Sequence, residues 1–134
     1  MQDPEELLKQ YKLQLAEDTQ LDVINVLEKA YSLPSIRHKW NGFYHDAKTD
    51  LYRLTLLKDA YIDGVMDNNN PMQMSRSVMT SKISKQADYK ALMTKIFHQE
   101  TLVEYLKDSI KENVSKMGFD IKNIIELKKE DQIG

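Results

Sequence analysis

Tyr89, Ile96, Val103, Ile110 and Met117 recur at intervals of seven, with Leu92, Leu106 and Val114 between them. A series with this period returns to one face of an α-helix every two turns, so the segment is committed to a helix with a continuous apolar seam. Gln99 and Asn113 weaken the alternate positions of that seam. Gly118 then stands where a left-handed residue would end the helix, with Phe119 packing back as in a Schellman motif. Asp120 is expected to restart a short helix with Ile121, Ile124, Ile125 and Lys128 on one face, and the tail from Glu130 to fray.

A second seam precedes the first. Ser35 offers an N-cap, and Ile36, Trp40, Phe43, Ala47, Leu51, Leu54, Leu57, Tyr61 and Val65 follow at alternating threes and fours. The predicted helix is about eight turns long and tolerates Gly42 at roughly 1 kcal/mol against alanine. Gly64 and the run Met66-Asp67-Asn68-Asn69-Asn70-Pro71 break it. Residues 67–86 are polar and weakly periodic, which predicts a loop with at most a short helix or strand. Upstream, Pro4, Glu5 and Glu6 suit a first turn, and Leu7, Leu8, Tyr11 and Leu15 form the stripe of a helix over 4–17. Asp18-Thr19 interrupts it. Asp22 is placed to cap a short helix carrying Val23, Ile24, Val26, Leu27, Ala30 and Tyr31, which Leu33-Pro34 should end.

With only four glycines and three prolines in 134 residues, turns are few and elements long, as these seams require. No apolar run approaches a membrane span. Residues 1–6 lack the basic and apolar regions of a signal peptide, and the absence of cysteine excludes disulfides and thiolate metal sites, so a cytoplasmic location is expected. Charge is segmental. Residues 1–22 hold six acids and two bases, whereas residues 68–99 hold Arg76, Lys82, Lys85, Lys90 and Lys95 against Asp88 alone, net +4 within a chain of net −2. A slightly acidic whole argues against a monomer that neutralises many phosphates, but a +4 stretch repeated around an oligomer can do so.

Catalytic signatures are missing. Gly42, Gly64, Gly118 and Gly134 lie too far apart for a nucleotide-binding loop. His38 and His45 are seven apart, with Asp46 beside the second, which is too sparse for zinc. Glu100, Glu104 and Asp108 at helical spacing read as a salted outer face with Lys107 and Lys111. Neither a cofactor nor a metal is expected. Trp40 is open to two readings, a core residue on the seam or a stacking platform for a base. The run from Arg76 to Lys95 is equally open, a nucleic-acid contact or a solvated surface.

Two segments resemble the UvsY family, the recombination mediators of T-even-like phages. Arg53-Leu54-Thr55-Leu56-Leu57-Lys58-Asp59-Ala60-Tyr61-Ile62-Asp63-Gly64 is similar to that family's basic helical stretch closing with tyrosine and glycine, where single-stranded DNA contact has been placed. Lys58 falls on the family's arginine and Tyr61 on its first tyrosine. Leu56 stands where the family usually has lysine and Ile62 where it has a second tyrosine. Lys116-Met117-Gly118-Phe119-Asp120-Ile121-Lys122-Asn123-Ile124-Ile125 resembles the family's C-terminal pattern. The resemblance spans roughly residues 20 to 130. It implies a closed ring, hexamer or heptamer, that binds single-stranded DNA and contacts the phage recombinase and the phage single-strand-binding protein.

The sequence therefore predicts a mainly α chain: a helix over 1–19, a long helical hairpin over 20–117 with its loop at 67–86, and a short C-terminal helix in an oligomerisation segment over 118–134, assembling into a ring-like homo-oligomer. Nucleic-acid contact is expected at Arg53, Lys58, Tyr61, Arg76, Lys82 and Lys85. Self-association is expected at Phe119, Ile121, Ile124 and Ile125, since a two-helix core leaves apolar residues uncovered. The expected role is a non-enzymatic mediator that loads a recombinase onto covered single strand. The competing reading is a helical scaffold or adaptor in phage assembly, and an enzyme is a distant third.

Overall fold

Asp3 opens the first helix, α1 (Pro4–Asp18), by accepting the Glu5 amide at 3.3 Å, with proline in the first turn and Glu5 and Glu6 at its positive end. The structure, a computed structural model, describes residues 1–133. At the other end of α1, the Thr19 hydroxyl and amide both return to the Leu15 carbonyl, and Lys29 Nζ takes the Glu17 carbonyl at 3.0 Å. Asp22 and Asn25 then brace a tight turn, the Asp22 carboxylate accepting the Ile24 and Asn25 amides at 2.8 and 2.7 Å.

The helix that follows, α2 (Val26–Asn68), runs unbroken for 43 residues, about 65 Å. The break expected at Leu33-Pro34 and the new start at Ser35 do not occur. Pro34 removes the hydrogen bond that residue 34 would give to Ala30, a loss that usually kinks a helix. Here Pro34 lies on the exposed side, while Val26, Leu33, Ile36 and Trp40 all enter one core on the other. The stripe is continuous across the proline, and its burial, at about 1.5–3 kcal/mol per large side chain, outweighs one missing bond. Further along the helix, Leu54 is buried, but Leu57 is exposed and Ile62 takes the inward place.

After α2 come a short helix, α3 (Arg76–Ile83), and then α4 (Ala87–Ser109), a π-helical turn (Ile110–Val114) and α5 (Ser115–Ile133) in one continuous rod. Among the described residues there is no strand. The mainly helical reading thus holds, with the loop region containing one short helix. The helix end expected at Gly118 is overturned. No glycine among the described residues has positive φ, Gly118 sits inside α5, and Phe119 points outward at 65% exposure. Gly118 serves packing instead, because a Cβ there would lie 2.9 Å from Arg37 Nη2 and 3.6 Å from Leu33 Cδ2. The separate short C-terminal helix is likewise replaced by a 19-residue continuation, which carries Glu130 and Asp131 in helix. Gly134 lies outside the described residues.

The π turn explains how one rod keeps its face. Fully buried positions on α4 and α5 are Tyr89, Ile96, Gln99, Leu102, Leu106, Ser109, Val114, Met117 and Ile121. Their spacings are threes, fours and one seven until Ser109 to Val114, which is five. A turn closed by the Ser115 amide on the Ile110 carbonyl, five residues back, absorbs that extra residue. Val103 and Ile110, expected on the seam, are half-buried, and Leu102 takes the central place.

The main core lies between α1, α2 and the α4–α5 rod, around Trp40 and Leu106. Trp40 is fully buried and donates Nε1–H to Asp18 at 2.9 Å, and Lys39 closes on the same carboxylate at 2.6 Å. Tyr11 stacks on Phe43 at 4.6 Å and meets Trp40 edge-on. Of its two readings, Trp40 takes the core one. A second, smaller cluster of Ile62, Ile83 and Tyr89 holds the far end, with Tyr61, Val65 and Met66 against it.

Candidate nucleic-acid interface

The far end of the molecule is built by a fold-back. Asn69 closes α2 with its amide on the Val65 carbonyl at 2.9 Å. Asn70 then clamps the reversal, its side chain accepting the Met74 amide at 2.8 Å and donating to the Met74 carbonyl at 2.9 Å. Gln73 within it adopts φ 51°, the left-handed region that a non-glycine residue seldom enters. Ser75 caps α3, which buries Met79 and sets Ile83 beside Ile62. Gln86 begins α4 and receives the Tyr61 hydroxyl at 2.6 Å, while Tyr61 and Tyr89 rings meet at 5.7 Å.

This fold-back gathers most of the expected contact residues. Lys58 and Tyr61 sit on the last turns of α2, Lys82 on the facing turn of α3, and Lys85 just beyond it. Tyr61 and Lys82 line one groove, of about 510 Å³, between α2 and α3. Among the described residues, Lys58, Lys82, Lys85, Lys90 and Lys95 are in no ion pair. Their charge is available to phosphates.

Arg76 and Arg53 are placed differently. Arg76 is bound by Asp63, with Asp59 at 3.8 Å, so its charge is answered within the chain and it latches α3 to α2. The hydrogen bond to Asp63 raises its already high pKa, and the guanidinium stays charged at any working pH. Arg53 is exposed, two turns before Tyr61 at about 12 Å along the axis, and touches Asp50 at 3.2 Å. It stands apart from the cluster. The amides of the groove, Asn68, Asn69 and Gln86, carried no signal in the sequence beyond turn chemistry, because only the fold-back brings them to Tyr61.

The residues expected at a subunit contact also divide. Ile121 is buried in the main core, and Ile124 and Ile125 are half-buried against it. The single chain therefore covers these isoleucines itself, with α5 packed along α2. Phe119 remains exposed. The larger exposed apolar group lies elsewhere, at Val23, Ile24, Leu27 and Tyr31, with Ile24 at 92% and Tyr31 at 87% exposure. The sequence predicts a short separate helix carrying these residues; instead residues 23–25 form a turn and α2 begins at Val26. Only Val26 is buried, and Ala30 half-buried.

The histidines are apart: His38 and His45 are on exposed positions of α2, and His98 Nε2 meets Glu5 at 2.6 Å. Among the described residues, no three histidine, aspartate or glutamate side chains converge as a metal site would need.

Residues 14–132 match the family described as "Recombination, repair and ssDNA binding protein UvsY". The chain belongs to the UvsY family. The match covers nearly the whole described chain, including both the fold-back and α5, and brings with it a role in recombination, repair and single-stranded DNA binding. No curated protein and no solved structure matches the chain. Among the described residues, no helix is long and apolar enough to cross a membrane.

Proposed function

We propose that this UvsY-family chain is a recombination mediator, holding single-stranded DNA and promoting the loading of a phage recombinase onto strand covered by the phage single-strand-binding protein, in the host cytoplasm. The observation that carries this reading is the cluster of unpaired Lys58, Lys82 and Lys85 around Tyr61 on a family member of this description. Cations follow phosphates and an aromatic ring takes any base, which suits binding without a sequence code. Such a protein exchanges one protein coat for another and breaks no bond, so it needs no catalytic group.

The ring of six or seven subunits belongs to the same proposal. Three or four cations per chain bind a strand weakly, but repetition on one strand converts weak sites into avidity. The apolar group at Val23, Ile24, Leu27 and Tyr31, with Phe119, supplies surface for such contacts. The test is single-strand binding titrated with salt, beside sedimentation of the protein. A steep fall of affinity with salt and a multimeric mass are expected; salt-independent binding, or none, would leave the assembly scaffold as the better reading.

A further inference from the structure

Gly64 lies inside α2, where glycine is the poorest residue after proline. Its neighbours do not explain it. Gly118 accommodates the close approach of Arg37 and Leu33, and Gly42 is on the exposed face. Gly64 is half-buried, yet a Cβ built on it would meet nothing within 4 Å. It faces a void, the groove between α2 and α3.

We propose that this groove takes one base of the bound strand, with Gly64 keeping it open. The inference rests on the strand-binding function proposed above and names where on the chain a base goes. At about 510 Å³ the groove has the size of small-ligand pockets. Its lining joins apolar Val65, Met79 and Ile83 to polar groups at the rim, a combination that can hold a nucleotide base. Tyr61 offers a ring at the wall, Lys82 a cation at the rim, and Asn68 and Asn69 offer amides, while Gln86 is held by the Tyr61 hydroxyl. The side chains of Asn68 and Asn69 make no hydrogen bond among the described residues, in contrast to Asn70, which is fully used in the turn. An amide carries both donor and acceptor and can turn to suit either, so it pairs with the edge of any base. A base seated there therefore adds affinity without adding a sequence code.

The test separates the base from the phosphates. A labelled oligothymidine and an abasic strand of equal length and charge are titrated against the full chain at one salt concentration. The wild type should bind the base-bearing strand roughly tenfold more tightly, within the range of a single base–aromatic contact. Gly64→Leu fills the groove and should bring the two affinities together while the salt dependence stays the same. Asn68→Ala with Asn69→Ala, both at exposed positions, should narrow the same gap if Gly64→Leu loses helicity. Equal affinity of the wild type for both strands, or an undiminished gap in a folded groove variant, overturns the base site and leaves strand binding standing. Failure of the wild type to bind either strand overturns the proposed function and this inference with it.

Discussion

Tyr11 carries its phenol into the aromatic group with Trp40 and Phe43, and burial there raises its pKa, helped by Asp46 and Asp50. A phenol whose folded pKa exceeds its unfolded value of about 10 contributes stability that is whole below that pH and is lost as pH climbs through the folded pKa. Alkaline unfolding should therefore begin earlier in the wild type than in Tyr11→Phe, once their stabilities at pH 7 are set equal. Parallel pH profiles for the two would show that another group governs the alkaline limb. At the interface, Lys58→Ala and Lys82→Ala should each weaken single-strand binding and shallow its salt slope by about 0.7, the value for one phosphate on single strands. Arg53→Ala should do less, since Arg53 stands apart and already touches Asp50. Arg76→Ala should act mainly on stability, and only modestly because the ion pair is exposed, and a large loss of DNA affinity at unchanged fold would contradict its role as a latch.

At the scale of elements, the decisive events are at Pro34, the π turn and Gly118. The period of seven from Tyr89 to Met117 identified α4 and its continuation, and Pro4 with Glu5 and Glu6 identified the start of α1, because both signals are local. Pro34 was misleading for the same reason: the proline is a local signal, whereas the stripe that overrides it gains its energy from α1 and α5. The fold-back groove had no sequence signature, since it exists only once α3 folds back on α2. Gly118 makes a sharp test. In a left-handed cap, alanine would be strained, but in the helical conformation seen here Gly118→Ala should be neutral or stabilising by up to about 1 kcal/mol, with the Arg37 guanidinium swinging aside. Denaturant unfolding measures this, and a clear loss of stability would show that Arg37 and Leu33 cannot yield to the added methyl. Deleting exposed Asn113 should reduce the Ser109–Val114 interval to four, erase the π turn and keep the protein folded; collapse of helicity would mean that the wide turn is required for more than spacing.

Across the whole molecule, the two ends differ. The end with α1 holds the large core, and the apolar group at Val23, Ile24, Leu27 and Tyr31 juts from its edge. If subunits meet there, Ile24→Asp with Tyr31→Asp should lower the sedimenting mass while far-ultraviolet circular dichroism is retained. An unchanged mass would move the contact to Phe119 and the outer face of α5. Competition with duplex adds a whole-particle test: single strands should win at fixed salt, because a duplex with a persistence length of about 150 bp resists a curved path.

The small cluster of Ile62, Ile83 and Tyr89 has a kinetic consequence. A small cluster anchors α3, an eight-residue helix that would be marginal alone, so this end is expected to open locally before the Trp40 end does. Amide hydrogens of residues 76–83 should exchange with deuterium well before those of residues 36–47, through local opening rather than global unfolding. A strand gripped at this end sits on the part of the protein that loosens first. Grip and release then share one hinge, and a protein whose task is to hand DNA onward can let go without coming apart.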